Sequence, residues 1–355
     1  MKKYIRKMFS IALILIFMIF TSAYSQIPSR VGTTAANFLE YGFGSAGSAM
    51  GDAYVSMAND LSSIYWNPAG LGFMNQSEAM FMYQPWIVDI STSFTAVGIV
   101  LPTVGTIAFG LISVNYGEMD VTTLLMQEGT GETFSPSDLA FSISYARRLT
   151  TWFSFGASVK HISSNILHCN ASAFAVDFGV LINTHFFSPT GQRENGLKLG
   201  MSISNYGTRM KYGGMDLINP IDILPDQQGN FRDVPGQFRT GEWELPLIFR
   251  FGISVNPVYT RTNQVTLSVD ALHPNNNFES VNAGMQYTIV LPSFGKIFLR
   301  GGYKALFMTD SQYGLSMGGG VIICFFGNRN IKLDYAYRDI GILGGTHAYS
   351  ISFLF

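Results

Sequence analysis

A chain of 355 residues that is 47% apolar, 14% aromatic and only 13% charged carries about half the ionic surface of an ordinary soluble domain, which excludes both a water-coated globule and a disordered chain. The formal charge is −1 and no basic cluster follows the first seven residues, so there is no electrostatic footprint for nucleic acid. Mean hydropathy is +0.22 and points to a membrane, yet a spanning helix needs about 20 consecutive apolar residues and only one stretch comes near that.

That stretch is at the start. Lys2, Lys3, Arg6 and Lys7 precede the apolar run from Met8 to Phe20, and Ala23-Tyr24-Ser25 offers small residues where a signal peptidase reads them. Residues 1–25 therefore read as a cleaved secretory signal, with Gln26 as the mature start. Cleavage takes Lys+Arg from 22 to 18 against 23 acidic residues, a net charge of −5, in an oxidising compartment. Cys169 and Cys324 could pair there, but their contexts do not obviously meet, and two separate small apolar residues is the favoured reading. No CxxC or Cys/His spacing marks a metal site.

Residues 26–76 show no alternation. Small residues at Gly44, Gly47, Ala49, Gly51 and Ala53 allow close backbone packing in a confined space. Asp60-Leu61-Ser62-Ser63 reads as a capped helical turn, and Trp66-Asn67-Pro68-Ala69 as a turn in which Pro68 holds Asn67 extended. The glycines are no phosphate loop, since no Lys-Ser or Lys-Thr follows and no βαβ pattern surrounds them. No cofactor motif is present.

From 77 to 355 the sequence falls into segments of about ten residues with period-2 alternation, separated by Gly, Asn, Pro and Asp clusters. Ile331, Leu333, Tyr335 and Tyr337 alternate with Lys332, Asp334, Ala336 and Arg338. Val265, Leu267, Val269 and Ala271 alternate with Thr266, Ser268 and Asp270, and Phe153, Phe155, Ala157 and Val159 with Ser154, Gly156, Ser158 and Lys160. A soluble sandwich would need more charge to coat its outside. A closed outer-membrane β-barrel does not, because lipid takes the apolar face while strand pairing satisfies the backbone. Leu333→Arg should on this reading cost far more than Asp334→Asn.

The segments number about fourteen, to within two: 78–86, 89–101, 105–117, 138–149, 151–165, 171–184, 197–206, 245–256, 263–272, 278–290, 296–305, 315–326, 331–339 and 346–355. An even count puts both ends of the sheet in the periplasm and sends the connections after odd strands outward, where the long ones belong. The two longest, 118–137 and 207–244, obey this, and 185–196 is a longish inward exception. The outward loop 207–244 carries apolar residues that disorder would not favour, among them Leu217, Ile221, Leu224, Phe231, Phe238 and Trp243, and is the expected partner-binding element. It could equally fold over the mouth as a lid. On the last strand Tyr349, Ile351, Phe353 and Phe355 share a face, and Phe353 with the terminal Phe355 resembles the signal read by outer-membrane assembly machinery.

The run before the barrel carries the most specific pattern. Small residues including Gly44 and Gly47 lead to Met50-Gly51-Asp52-Ala53-Tyr54-Val55, then to Asp60 and to Tyr65-Trp66-Asn67-Pro68-Ala69-Gly70-Leu71. Together these resemble the N-terminal hatch of the PorV/PorQ family of outer-membrane proteins, a branch of the FadL-like barrels. The resemblance implies an all-β fold, an antiparallel barrel of fourteen strands whose lumen is plugged by residues 27–75. The division is then 1–25 signal, 26–76 hatch and 77–355 barrel, in the outer membrane of a Gram-negative bacterium. It also implies a part in type IX secretion, docking exported proteins with a C-terminal secretion domain or the surface-anchoring complex. The wider FadL-like group suggests the alternative of a diffusion channel for hydrophobic small molecules.

An enzyme is not expected. His161 and Ser163 share a strand face, but nothing supplies a third, orienting group. Asp216, Asp222, Asp226 and Asp233 match no calcium-loop spacing and read as solvated charge.

Overall fold

The computed structural model describes residues 30–229, 233–292, 294–308, 311–325 and 329–355, so the expected signal 1–25 and the loop residue Phe231 lie outside the described residues. Fourteen antiparallel strands close into a barrel. They are β1 Glu78–Pro85, β2 Ser91–Leu101, β3 Gly105–Asn115, β4 Ser137–Thr150, β5 Phe153–Ile166, β6 Cys169–Asn183 and β7 Lys198–Gly207, followed by β8 Ile248–Tyr259, β9 Asn263–Pro274, β10 Ser280–Leu291, β11 Gly295–Leu306, β12 Leu315–Cys324, β13 Asn330–Asp339 and β14 Gly345–Leu354. Each pairs with its sequence neighbours, and β1 closes on β14 in the register Glu78↔Leu354 to Tyr83↔Tyr349. Every expected segment overlaps one of these strands.

Alternation sorts the side chains as lipid requires. Leu267, Val269, Leu333 and Tyr335 face out, whereas Ser268, Asp270, Lys332, Asp334 and Arg338 face in and are buried. Strand edges move by up to three residues from the sequence reading. β8 begins at Ile248 rather than 245 because Pro246 has no N–H to give the ladder and Leu245 is drawn into the core. Cys169 and Cys324 are unpaired.

The long outward connections are not structureless. Between β3 and β4 a small hairpin pairs Met119–Asp120 with Thr133–Phe134, and between β7 and β8 another pairs Ile218–Ile221 with Val234–Gln237.

Inside the barrel runs the N-terminal segment. It contains 3-10 turns at Asn37–Glu40 and Pro68–Phe73 and two short helices, α1 Ser45–Ala49 and α2 Ser63–Trp66. Its buried side chains, Phe43, Met50, Leu61, Trp66 and Leu71 among them, form one cluster with lumen-facing Phe94, Ala108, Ala140 and Ala336. Strand parity puts Glu78 and Leu354 at the inner end, but the segment begins at the opposite mouth. The N–H of Gly32 donates to the carbonyl of Asn276 and that of Ala35 to Glu244, both on outward connections. The chain therefore crosses the whole lumen before it enters β1.

Candidate functional site

Small residues decide how the segment packs. Gly51 has φ +65°, and a Cβ there would lie 2.5 Å from the backbone nitrogen of Tyr303 on β11, so only glycine fits. A Cβ at Gly47 would lie 2.7 Å from the indole of Trp66, and one at Gly44, φ +106°, 2.6 Å from Ser62 Cβ. Trp66 fills the space these leave, edge-on to Tyr65 at 4.8 Å and to Tyr54 at 6.3 Å between ring centroids. Met50 is fully buried beside them.

The turn after α2 is built as its residues dictate. Asn67 is extended at φ −163°, ψ 103°, and its Oδ1 accepts the N–H of Ala69 while Pro68 occupies the first position of the 3-10 turn. Asn67 Nδ2 donates to the carbonyls of Val55 and, across to β6, Val180, both at 3.0 Å. Wall hydroxyls complete the seam: Ser202 donates to the carbonyl of Trp66 and Ser154 to that of Ala69. Gly70 donates to the carbonyl of Asn67. Before α2, Asp60 Oδ1 accepts the N–H and hydroxyl of Ser62, so the cap comes from Asp60 rather than from Ser62 itself.

Ion pairs tie the segment to the wall. Asp60 Oδ2 lies 2.5 Å from Lys332 Nζ. The Lys332 ammonium and the Ser62 hydroxyl both engage this carboxylate. The sequence reading missed Asp52, which sits between Arg338 and Lys304 and pairs with both. Its signal was available: a lone acid in a run of small residues, facing strands whose inward positions carry unmatched cations. Tyr65 accepts the N–H of Gly42 and lies under the guanidinium of Arg250 at 5.4 Å. Asp270 on β9 accepts the N–H of Val55 at 2.8 Å.

At the outer mouth the 208–247 connection stands on a fixed base. Met210 and Trp243 exchange backbone bonds, Gly213–Gly214 pairs antiparallel with Cys169 and Asn170 at the start of β6, and Asp216 engages both the backbone N–H and the ring Nδ1 of His168. Those His168 bonds hold the Asp216 carboxyl below its usual range. Glu244 is bridged by Arg30 at 2.7 Å and Arg209 at 3.1 Å. Above this base Ile221 is 45% accessible and Phe238 63%, with Leu224 exposed and Leu217 half-buried, and in the base itself the Trp243 side chain is 48% accessible. Met210 and Leu245 are the ones that pack into the core. Leu124 and Leu125 at the tip of the neighbouring outward connection are 94% and 96% accessible. Phe353 and Phe355 face outward near the inner end of β14.

The family described as type IX secretion system protein PorV matches residues 24–224, more than half of the chain. The chain belongs to the PorV family. No curated protein sequence matches it significantly. Among solved structures this PorV-family barrel resembles the toluene transporter TodX of Pseudomonas putida, at 11% identity over 88% of this chain and 98% of that one, with a TM-score of 0.56. It also resembles the toluene transporter TbuX of Ralstonia pickettii, at 12% identity over 88% and 97%, with a TM-score of 0.51. At such identities the likeness shows the FadL-like outer-membrane barrel fold alone.

Proposed function

We propose that this PorV-family barrel serves type IX secretion in a Gram-negative outer membrane by docking protein partners at its outer mouth, either exported proteins with a C-terminal secretion domain or other secretion components. The observation that carries this reading is the outward connection 208–247, whose base is anchored while Ile218, Ile221, Phe238 and Trp243 stay exposed. Apolar side chains held in water on an ordered base are the usual mark of an interaction surface. The N-terminal segment, the proposed plug, makes the lumen a scaffold rather than a passage.

The alternative, a route for hydrophobic small molecules like those named for the toluene transporters, has the fold in its favour. The buried ion pairs that tie Asp52 and Asp60 of the segment to the wall, with the Asp334–Arg300 pair on the wall beside them, weigh against it, because an apolar ligand would have to displace charge from its partners. Binding, not catalysis, is the role we infer. His161 stacks on Phe174 on the lipid-facing side, where no lumen chemistry reaches it.

Replacing residues 212–239 by a short Gly-Ser link tests the reading. The barrel should remain inserted and heat-modifiable on a gel, while release of proteins bearing the C-terminal secretion domain falls in a deletion strain complemented with this variant. Export at the parent level would remove the loop from the docking surface.

A further inference from the structure

At the inner end, beneath the Pro68–Phe73 turn, the lumen opens into a cavity of about 560 Å³, within the size range of ligand sites. One side of it is a ladder of amides and hydroxyls. Ser254 and Asn256 on β8, Gln264 and Thr266 on β9, and Gln286 and Thr288 on β10 all face inward and line it. Gln264 stands opposite Thr288 in register, and Thr266 opposite Gln286.

Several of these groups are unspent among the described residues. Ser254 is 1% accessible and its hydroxyl has no partner, as is true of Glu78 Oε1 on the facing wall. Gln264 makes no side-chain hydrogen bond, and Asn256 uses only its carbonyl, accepting from Thr266 at 2.7 Å. Buried polar groups left unpaired are costly, so they point to something that satisfies them.

We infer that this inner cavity binds an extended, uncharged polypeptide segment presented from the periplasmic side. Same-face residues on a strand recur about every 6.6–6.8 Å, which is also the repeat of an extended peptide laid along them. A peptide group offers one donor and one acceptor; in the ladder Gln264 keeps both its NH2 and its carbonyl open and Asn256 its NH2, whereas Gln286 is already engaged with Thr288 and Arg300. The segment carries no acid because the deep cations are already matched, Arg300 to Asp334 and Lys332 to Asp60, each at 2.5 Å, and the open oxygen of Glu78 needs only a donor, which a peptide N–H supplies. Lys198 lies near Glu194, and Lys296 is exposed at the rim. A saccharide fits less well, since it needs free aromatic faces. Phe298 is covered by Arg300 at 4.6 Å, Phe73 by Arg148 at 5.9 Å, and Tyr54 is engaged with Trp66, which leaves Tyr259 as the one lining ring without such a contact among the described residues, too little for a stacked sugar chain. A hydrocarbon would leave the ladder unpaired.

This inference does not rest on docking at the outer mouth, which lies at the other end of the barrel. The test uses the full-length protein in detergent micelles and a fluorescein-labelled library of end-capped octapeptides of Ser, Thr, Asn and Gly, read by anisotropy. The parent should bind saturably. Asn256→Leu combined with Gln264→Leu, two changes that remove hydrogen-bonding groups at little change in volume, should weaken binding about tenfold or more while the barrel stays heat-modifiable. Thr266→Val is the milder second variant, expected to weaken binding in the same direction should the double variant fail to fold. The protein with residues 212–239 shortened should bind as the parent does. Absence of saturable binding by the parent, equal binding by the folded variants, or binding of maltotetraose in place of the peptides would each overturn the proposal.

Discussion

Asp334 lies between two cations inside the barrel, with Oδ1 2.5 Å from Arg300 and Oδ2 3.3 Å from Lys332. Alternation alone makes a lumen-facing position look tolerant and its lipid-facing neighbour Leu333 intolerant. The lumen here is filled, however, and Asp334 is as buried as a core residue. Asp334→Asn would leave Arg300 and Lys332 short of a carboxylate in a low-dielectric space, a change that costs about 3–5 kcal/mol when one partner of a buried pair is removed. Leu333→Arg near the midplane costs about 2–4 kcal/mol by exposing a charge to lipid. Refolding into lipid vesicles should therefore show both variants destabilised to a similar degree. A near-neutral Asp334→Asn would mean that the ion cluster does not form.

Elements differ in how legible they were, for physical reasons. Lipid on one side and a polar lumen on the other force period 2 on every strand, so Ile331 to Arg338 announces itself. The hairpin of Ile218–Ile221 and Val234–Gln237 did not, because Pro220 and Pro235 face each other across it and proline argues against a strand. The motif around Asn67-Pro68 gave the local turn, but not the path of the segment, which depends on pairs such as Asp52 with Arg338 that are 286 residues apart. That path brings Arg30 to Glu244 at the base of the 208–247 connection. Hydrogen bonding by Arg30, then by Arg209, holds Glu244 below its ordinary 4.5. A carboxyl with a depressed pKa keeps its contribution above the unfolded value and loses it as pH falls through the folded one. The clamp should thus persist from neutral pH down through 4.5 and release only below it. A spin label at Val31→Cys, with the native thiols removed as Cys169→Ala and Cys324→Ala, should stay restricted over that range and gain mobility in stronger acid; release between pH 7 and 5 would show that Glu244 is not what holds the segment.

For the molecule as a whole, the question is whether the N-terminal segment closes the pore it crosses. Its contact with the wall is backbone against backbone at Gly51 and β11, and the carbonyl of Asp52 accepts from Asn282 on β10 next to it. Gly51→Val adds a branched side chain where a Cβ already meets the Tyr303 backbone at 2.5 Å, and does so at φ +65°, which β-branched residues avoid. Strand backbone held in a closed ladder cannot yield, so the segment must. The barrel itself should survive, because none of its strand pairs uses the hydrogen bonds of residue 51. In planar bilayers the parent should conduct little, since the lumen is packed with Trp66, Met50 and their neighbours and bridged by ion pairs at Asp52 and Asp60. The Gly51→Val barrel, still heat-modifiable, should pass ions at markedly higher conductance as the segment is dislodged. If the parent is already open to the same degree, the segment does not act as a plug, and the inner cavity would be the mouth of a continuous channel.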